Sequence, residues 1–135
     1  MTSTAETPAP VNVRLHGEDT AGHLALIEFV VDSHSDGPPL HIHPGHAEGF
    51  YILEGELAVQ VGDQVIAGGA GTFLFAPPGT PHTFANFSGR DARMLVICTP
   101  AGFETYFDEL AAGRQAVPPP DQAVTVGPQI TRPSD

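Results

Sequence analysis

Apolar residues recur along this chain in short runs separated by clusters of Gly, Pro, Asp and Asn, the rhythm of a β protein. The runs predict strands at residues 11–15, 23–31, 40–43, 49–53, 57–61, 64–67, 72–76, 82–87 and 92–99. The connections EG, GD, GGAG, PPGTP and SGRD are rich in turn formers. Residues 23–31, HLALIEFVV, are nearly continuous in hydrophobicity, which predicts cover on both faces. Residues 32–39 read as a loop. This spacing favours an all-β sandwich or jelly roll. After Pro100 the period changes. In GFETYFDELAAG, Phe103, Phe107, Leu110 and Ala111 share one helical face, and Gly113 suits a C-terminal stop. A short helix is expected there, covering an open end or face of the barrel, with its aromatic stripe used for packing. Pro118, Pro119 and Pro120 then break the chain, and AVTVGPQI offers one more edge strand, to its own barrel or to a partner's. The expected organisation is a flexible leader over 1–10, a β-barrel domain with its helix over 11–113, and a Pro-rich tail over 114–135.

Composition narrows this further. A length of 135 residues fits one domain with its own core. With 41% hydrophobic and 16% charged residues the chain reads as folded, and 15 Gly with 14 Pro supply the turns of a β fold. Five basic residues, all Arg, stand against 16 acidic ones, a formal charge of −11. Such a surface repels phosphate backbones and anionic headgroups, so neither nucleic acid nor membrane is an expected partner. No basic-then-apolar leader is visible and no apolar run reaches membrane-spanning length, so a cytoplasmic protein is the expectation. Cys98, the only cysteine, excludes an intramolecular disulfide; within MLVICT it reads as a buried, inert thiol.

Chemistry concentrates in HIHPGHAEGFYILEG, residues 41–55. On a strand His41 and His43 point to one face, where both imidazoles can reach one ion. Glu48 follows a connection containing Pro44 and Gly45, and Glu54-Gly55 reads as a tight turn. A second stretch, GTFLFAPPGTPHTFAN, brings His82 just after a turn signal. An H-x-H pair alone equally describes surface or hydrogen-bonding histidines. Three histidines and a glutamate on neighbouring strands suit one divalent transition metal per chain: Ni, Fe, Mn, Co or Zn. Four such ligands leave open positions for substrate or water, and Glu48 is placed to act as general base for a substrate hydroxyl. Phe50, Ile52 and Phe84 alternate in register with the ligands; they read as pocket lining, with core packing as the alternative. His46 lies on the turn between His43 and Glu48, and is expected to face water rather than to ligate or shuttle protons.

These two stretches resemble the motifs of the cupins. The first motif reads G-x5-H-x-H-x3–4-E-x6-G, and His41, His43, Glu48 and Gly55 fit its second half; the leading glycine has no counterpart at position 35, with Gly37 two residues later. The second, G-x5-P-x-G-x2-H-x3-N, is matched by Gly71, Pro77, Gly79, His82 and Asn86. The resemblance implies a single-domain jelly-roll barrel, a metal held by His41, His43, Glu48 and His82, and a structural role for Asn86. EGFYILEGEL and TPAGFETYFDELA further resemble small bacterial proteins similar to quercetin dioxygenase. That implies insertion of O2 into a flavonol-like enol, with Glu48 taking the hydroxyl proton. Two alternatives stand beside this dioxygenase of a small aromatic or enolic compound. One is a redox-inert cyclase or isomerase similar to the cupin polyketide cyclases; the other is a non-enzymatic metal- or ligand-binding module. Jelly-roll sheets leave edges that need pairing, so a homodimer is expected.

Overall fold

The protein is described by a computed structural model covering residues 10–114 and 118–133. The expected leader thus lies outside the described residues except for Pro10. Two five-stranded antiparallel sheets face each other as a jelly roll. One has the order β1 (Val11–Leu15), β2 (Ala25–Val31), β9 (Ala92–Thr99), β4 (Ala47–Glu54), β7 (Phe73–Ala76). The other has β10 (Val124–Thr125), β3 (His41–Ile42), β8 (His82–Ala85), β5 (Glu56–Val61), β6 (Gln64–Gly69). One short helix, α1 (Glu104–Ala111), follows β9.

Strand alternation builds the core. Along β9, Ala92, Met94, Val96 and Cys98 are buried while the residues between them are half-buried. β4 points Glu48, Phe50 and Ile52 the same way, paired with Cys98, Val96 and Met94 respectively. Leu57 and Val59 of β5 close the core from the other sheet. Each such side chain, fully buried, contributes roughly 1.5–3 kcal/mol of transfer free energy.

Several expectations shift. Among the described residues β2 is not covered on both faces: Leu26, Glu28 and Val30 look outward, half-buried. Their cover is a ladder of charges across four strands, with Glu28 bonded to Arg14 at 3.1 Å and Arg93 at 2.9 Å, and Arg93 reaching Glu54 at 3.3 Å. Arginine stems can shield apolar neighbours while their heads stay wet, so no second layer is needed. The strand expected at 40–43 shrinks to His41–Ile42 because the chain turns at Pro44. β4 instead begins at Ala47, which places Glu48 inside the strand rather than ahead of it. β8 stops at Ala85, where Asn86 leaves the ladder and donates from Nδ2 to the carbonyls of Val31 (3.1 Å) and Arg90 (2.6 Å).

Two segments outside the strands close one end of the sandwich. The Glu104 carboxylate, buried at the start of α1, accepts from Gly17 N at 2.8 Å and Gly102 N at 2.6 Å, pinning the helix to the turn after β1. The tail adds β10 to its own barrel, with Val124 opposite Ile42 and Thr125 opposite His41. Beyond it Leu40 N donates to Pro128 O (3.1 Å), Gln129 Nε2 to Gly37 O (2.7 Å), and Arg132 pairs with Asp36 (2.7 Å). Gly37 sits at φ +72°, and a Cβ there would come within 1.6 Å of the Phe84 carbonyl; only glycine lets this loop lie against β8. No helix among the described residues is long and apolar enough to cross a membrane.

Candidate metal centre

The two sheets deliver the polar residues from opposite sides. His41 of β3 stands directly opposite His82 of β8, and His43 follows β3 with its side chain on the same face. Glu48 reaches them from β4 in the facing sheet. His43 Nε2 lies 3.0 Å from Glu48 Oε2, and His82 Nε2 lies 3.2 Å from Oε1. The ring centroids of His41, His43 and His82 are 4.5–4.9 Å apart. The ligating atoms of these three lie within 4.8 Å of one another, as do those of His43, His46 and Glu48.

Backbone carbonyls orient the imidazoles. Nδ1 of His41 donates to Pro39 O at 2.8 Å, that of His43 to Gln122 O at 2.8 Å, and that of His82 to Thr80 O at 3.0 Å. A carbonyl only accepts, so a proton belongs on each Nδ1, and in the neutral ring Nε2 then carries a bare lone pair. The buried Nε2 atoms of His43 and His82 make no directed hydrogen bond, although a carboxylate oxygen is close to each. Lone pairs of the neutral rings therefore face a carboxylate at contact distance. That arrangement is unfavourable by itself and is what a cation relieves, so three neutral imidazoles and one carboxylate fit a divalent transition ion.

Electrostatics agree with that use. Burial, reinforced by His82, lowers His41 to about 4, keeping it neutral near pH 7. Burial would raise the Glu48 carboxyl, but imidazole donors outweigh it and hold the group well below the usual carboxylate range; with His43 and His82 protonated on Nδ1 alone, the donor left to do so is His46. Of those contacts the well-directed hydrogen bond is from His46, Nε2 to Oε2 at 2.9 Å. Cys98 stands opposite Glu48 in the β4–β9 register, its Sγ 3.7 Å from Oε2. Burial and the adjacent carboxylate push this thiol up, so it stays protonated.

The cluster forms the floor of a cavity of about 480 Å³. Phe50 and Phe84 stand on its wall, and Phe103, Tyr106 and Phe107 enter from the α1 side. Apart from the cluster, the hydrogen-bonding side chains lining it among the described residues are those of Tyr106 and Thr125, with no arginine among them. Three expectations are corrected here. Ile52 does not line the cavity: it faces inward but sits two residues further along β4, fully buried beside Met94 in the closed part of the core. His46 does not face water: it is 6% exposed, stacked on His43 (4.3 Å) and Phe103 (5.1 Å), because the start of α1 covers the turn. The aromatic stripe of α1 is more than packing, since it forms a cavity wall. That stripe was visible as a helical pattern, whereas nothing in the sequence points to the Gln122 carbonyl behind His43.

Residues 27–98 match the cupin domain family, over half of the chain, and the protein belongs to that family. A stretch of 88 residues, 62% of this chain, is 33% identical to quercetin 2,3-dioxygenase of Bacillus subtilis, of whose length it spans only 26%. The polyketide cyclase RemF of Streptomyces resistomycificus superposes with a TM-score of 0.58 at 28% identity, over 66% of this chain and 63% of that one. A predicted oxalate decarboxylase of Thermotoga maritima gives 0.63 at 23% identity, over 67% and 78% of the two chains, a likeness of fold.

Proposed function

We propose that this cupin is a metal-dependent dioxygenase of a small aromatic or enolic, flavonol-like substrate. The observation that carries the reading is the convergence of His41, His43, His82 and Glu48 on the floor of an apolar, aromatic-walled cavity. A flat, uncharged molecule suits such walls. A divalent ion held by the four side chains would supply Lewis acidity towards the substrate hydroxyl and, if redox-active, electrons towards O2. The chain's own residues do the rest. Phe50, Phe84 and Phe103 exclude water and hold the substrate's plane, Tyr106 and Thr125 offer hydrogen bonds to its oxygens, and Glu48 accepts the hydroxyl proton. The working unit is a homodimer, supported by exposed aromatics on the first sheet.

The likeness to a polyketide cyclase favours a second reading, in which the same cavity guides ring closure or isomerisation without O2. The test begins with protein purified without a tag or added metal, analysed for metal and then offered hydroxylated flavonoids and related enols. Stoichiometric transition metal and one O2 consumed per substrate are expected. Turnover without oxygen uptake would replace this reading by the cyclase one, and binding without turnover would leave a ligand-binding module.

A further inference from the structure

We propose that His46 is a positioning residue for Glu48, fixing the direction in which the carboxylate faces the three other histidines. The inference rests on the metal reading above. His46 lies outside the ligand spacing of the sequence, yet the fold buries it as deeply as Glu48, at 6% and 5% exposure. Its Nε2 is 2.9 Å from Glu48 Oε2. An ionised carboxylate can only accept, so His46 carries its proton on Nε2. This is the opposite tautomer from His41, His43 and His82, whose Nδ1 protons are committed to carbonyls. Those three present bare nitrogens to an ion; His46 presents a donor to a ligand.

Geometry separates it from His41 and His82 as well. The nitrogens of His41, His43 and His82 gather in one group, whereas His46 groups with His43 and Glu48. It is absent from the cavity wall that those three and Glu48 share. Its ring is held flat between neighbours, 26° from the plane of His43 and 29° from that of Phe103. Cys98 adds a weak donor to the same oxygen, 3.7 Å away. Oε2 is thus gripped by donors of the protein itself, which limits the rotation of a side chain that would otherwise lose more freedom on binding an ion. Such outer partners typically change metal affinity by about 10–100-fold when removed.

The test uses the full-length protein and Co2+ alone, reading the dissociation constant and the visible absorption of the bound ion. The His46→Phe variant keeps a flat ring between His43 and Phe103 but removes the donor. Its affinity is expected to fall about 10–100-fold with an altered spectrum. His46→Gln, whose amide can donate to the same oxygen, is expected to restore most of both. In a Glu48→Gln background, His46→Phe should add nothing further, because the carboxylate it orients is gone. An unchanged constant and spectrum for His46→Phe, while the wild type binds one Co2+, would overturn the inference alone. A full additional loss in the Glu48→Gln background would also overturn it, marking His46 as a ligand or a packing residue. Failure of the wild type to bind Co2+ would remove the metal reading and this inference together. Should His46→Phe not fold, His46→Met fills the slot without a donor and is judged by the same outcomes.

Discussion

Glu48 is a buried acid kept ionised by its neighbours, which makes it the residue on which the proposed chemistry turns. If it only holds an ion, Glu48→Gln lowers activity in proportion to lost occupancy. If it also takes the substrate proton, the variant stays slow when fully loaded, because glutamine cannot accept a proton. We expect the second outcome, a loss of about 10²–10⁴ in kcat at full metal content. The deficit should shrink for substrates with more acidic hydroxyls. Single-turnover kinetics on metal-quantified protein would show it, and near-normal turnover would reassign the carboxylate to ligation alone.

At the scale of elements, the site depends on two pieces outside the strands that carry its polar residues. Helix α1 is tied to the turn after β1 by Glu104 and by His16, whose Nε2 lies 3.1 Å from Asp108. The hydrogen bond to Asp108, against a smaller opposing effect of burial, raises His16 from 6.5. A raised histidine contributes stability that is fully present below the unfolded pKa and is lost as pH rises through the folded one. His16→Ala should therefore cost more unfolding free energy at about pH 5.5 than at about pH 8.5, by under ~1 kcal/mol since both groups are partly exposed, as denaturant titration at the two pH values would show. Equal losses at both pH values would show that the pair does nothing. The tail is the second piece. Its Gln122 carbonyl sets the tautomer of His43, so deleting residues 115–135 should weaken metal binding by about 10–100-fold, whereas Gln122→Ala should be silent. Calorimetric titration of the two proteins, each checked for folding, decides this; equal affinities would sever the tail from the site.

At the scale of the whole molecule there is an apolar patch that the described residues leave open. Phe73 and Phe75 of β7 are each 52% exposed and Tyr51 of β4 is 39% exposed. The Phe73 ring lies over Gly49, where a Cβ would meet it at 2.8 Å. We expect a second copy to cover this face. Sedimentation at micromolar concentration should give about twice the 14.1 kDa chain mass, and Phe73→Asp with Phe75→Asp should return it to one. A wild-type monomer would rule the dimer out.

The sequence by itself determined the strand rhythm, the jelly roll, the short helix, and the spacing of His41, His43, Glu48 and His82. These follow from local rules: period-two alternation, turn chemistry and same-face placement of residues two apart. What it left undecided depends on which elements meet. Ile52 shares the parity of Phe50 but falls at the closed end of the sandwich, a distinction that alternation cannot carry. The burial of His46 is decided by Phe103, 57 positions away in the chain. Cys98 meets Glu48 only because β9 lies beside β4 in that register, and the Gln122 carbonyl has no side-chain signature at all. Candidate ligands could be named from their spacing along the chain; what brings them together and orients each was decided by packing between distant segments.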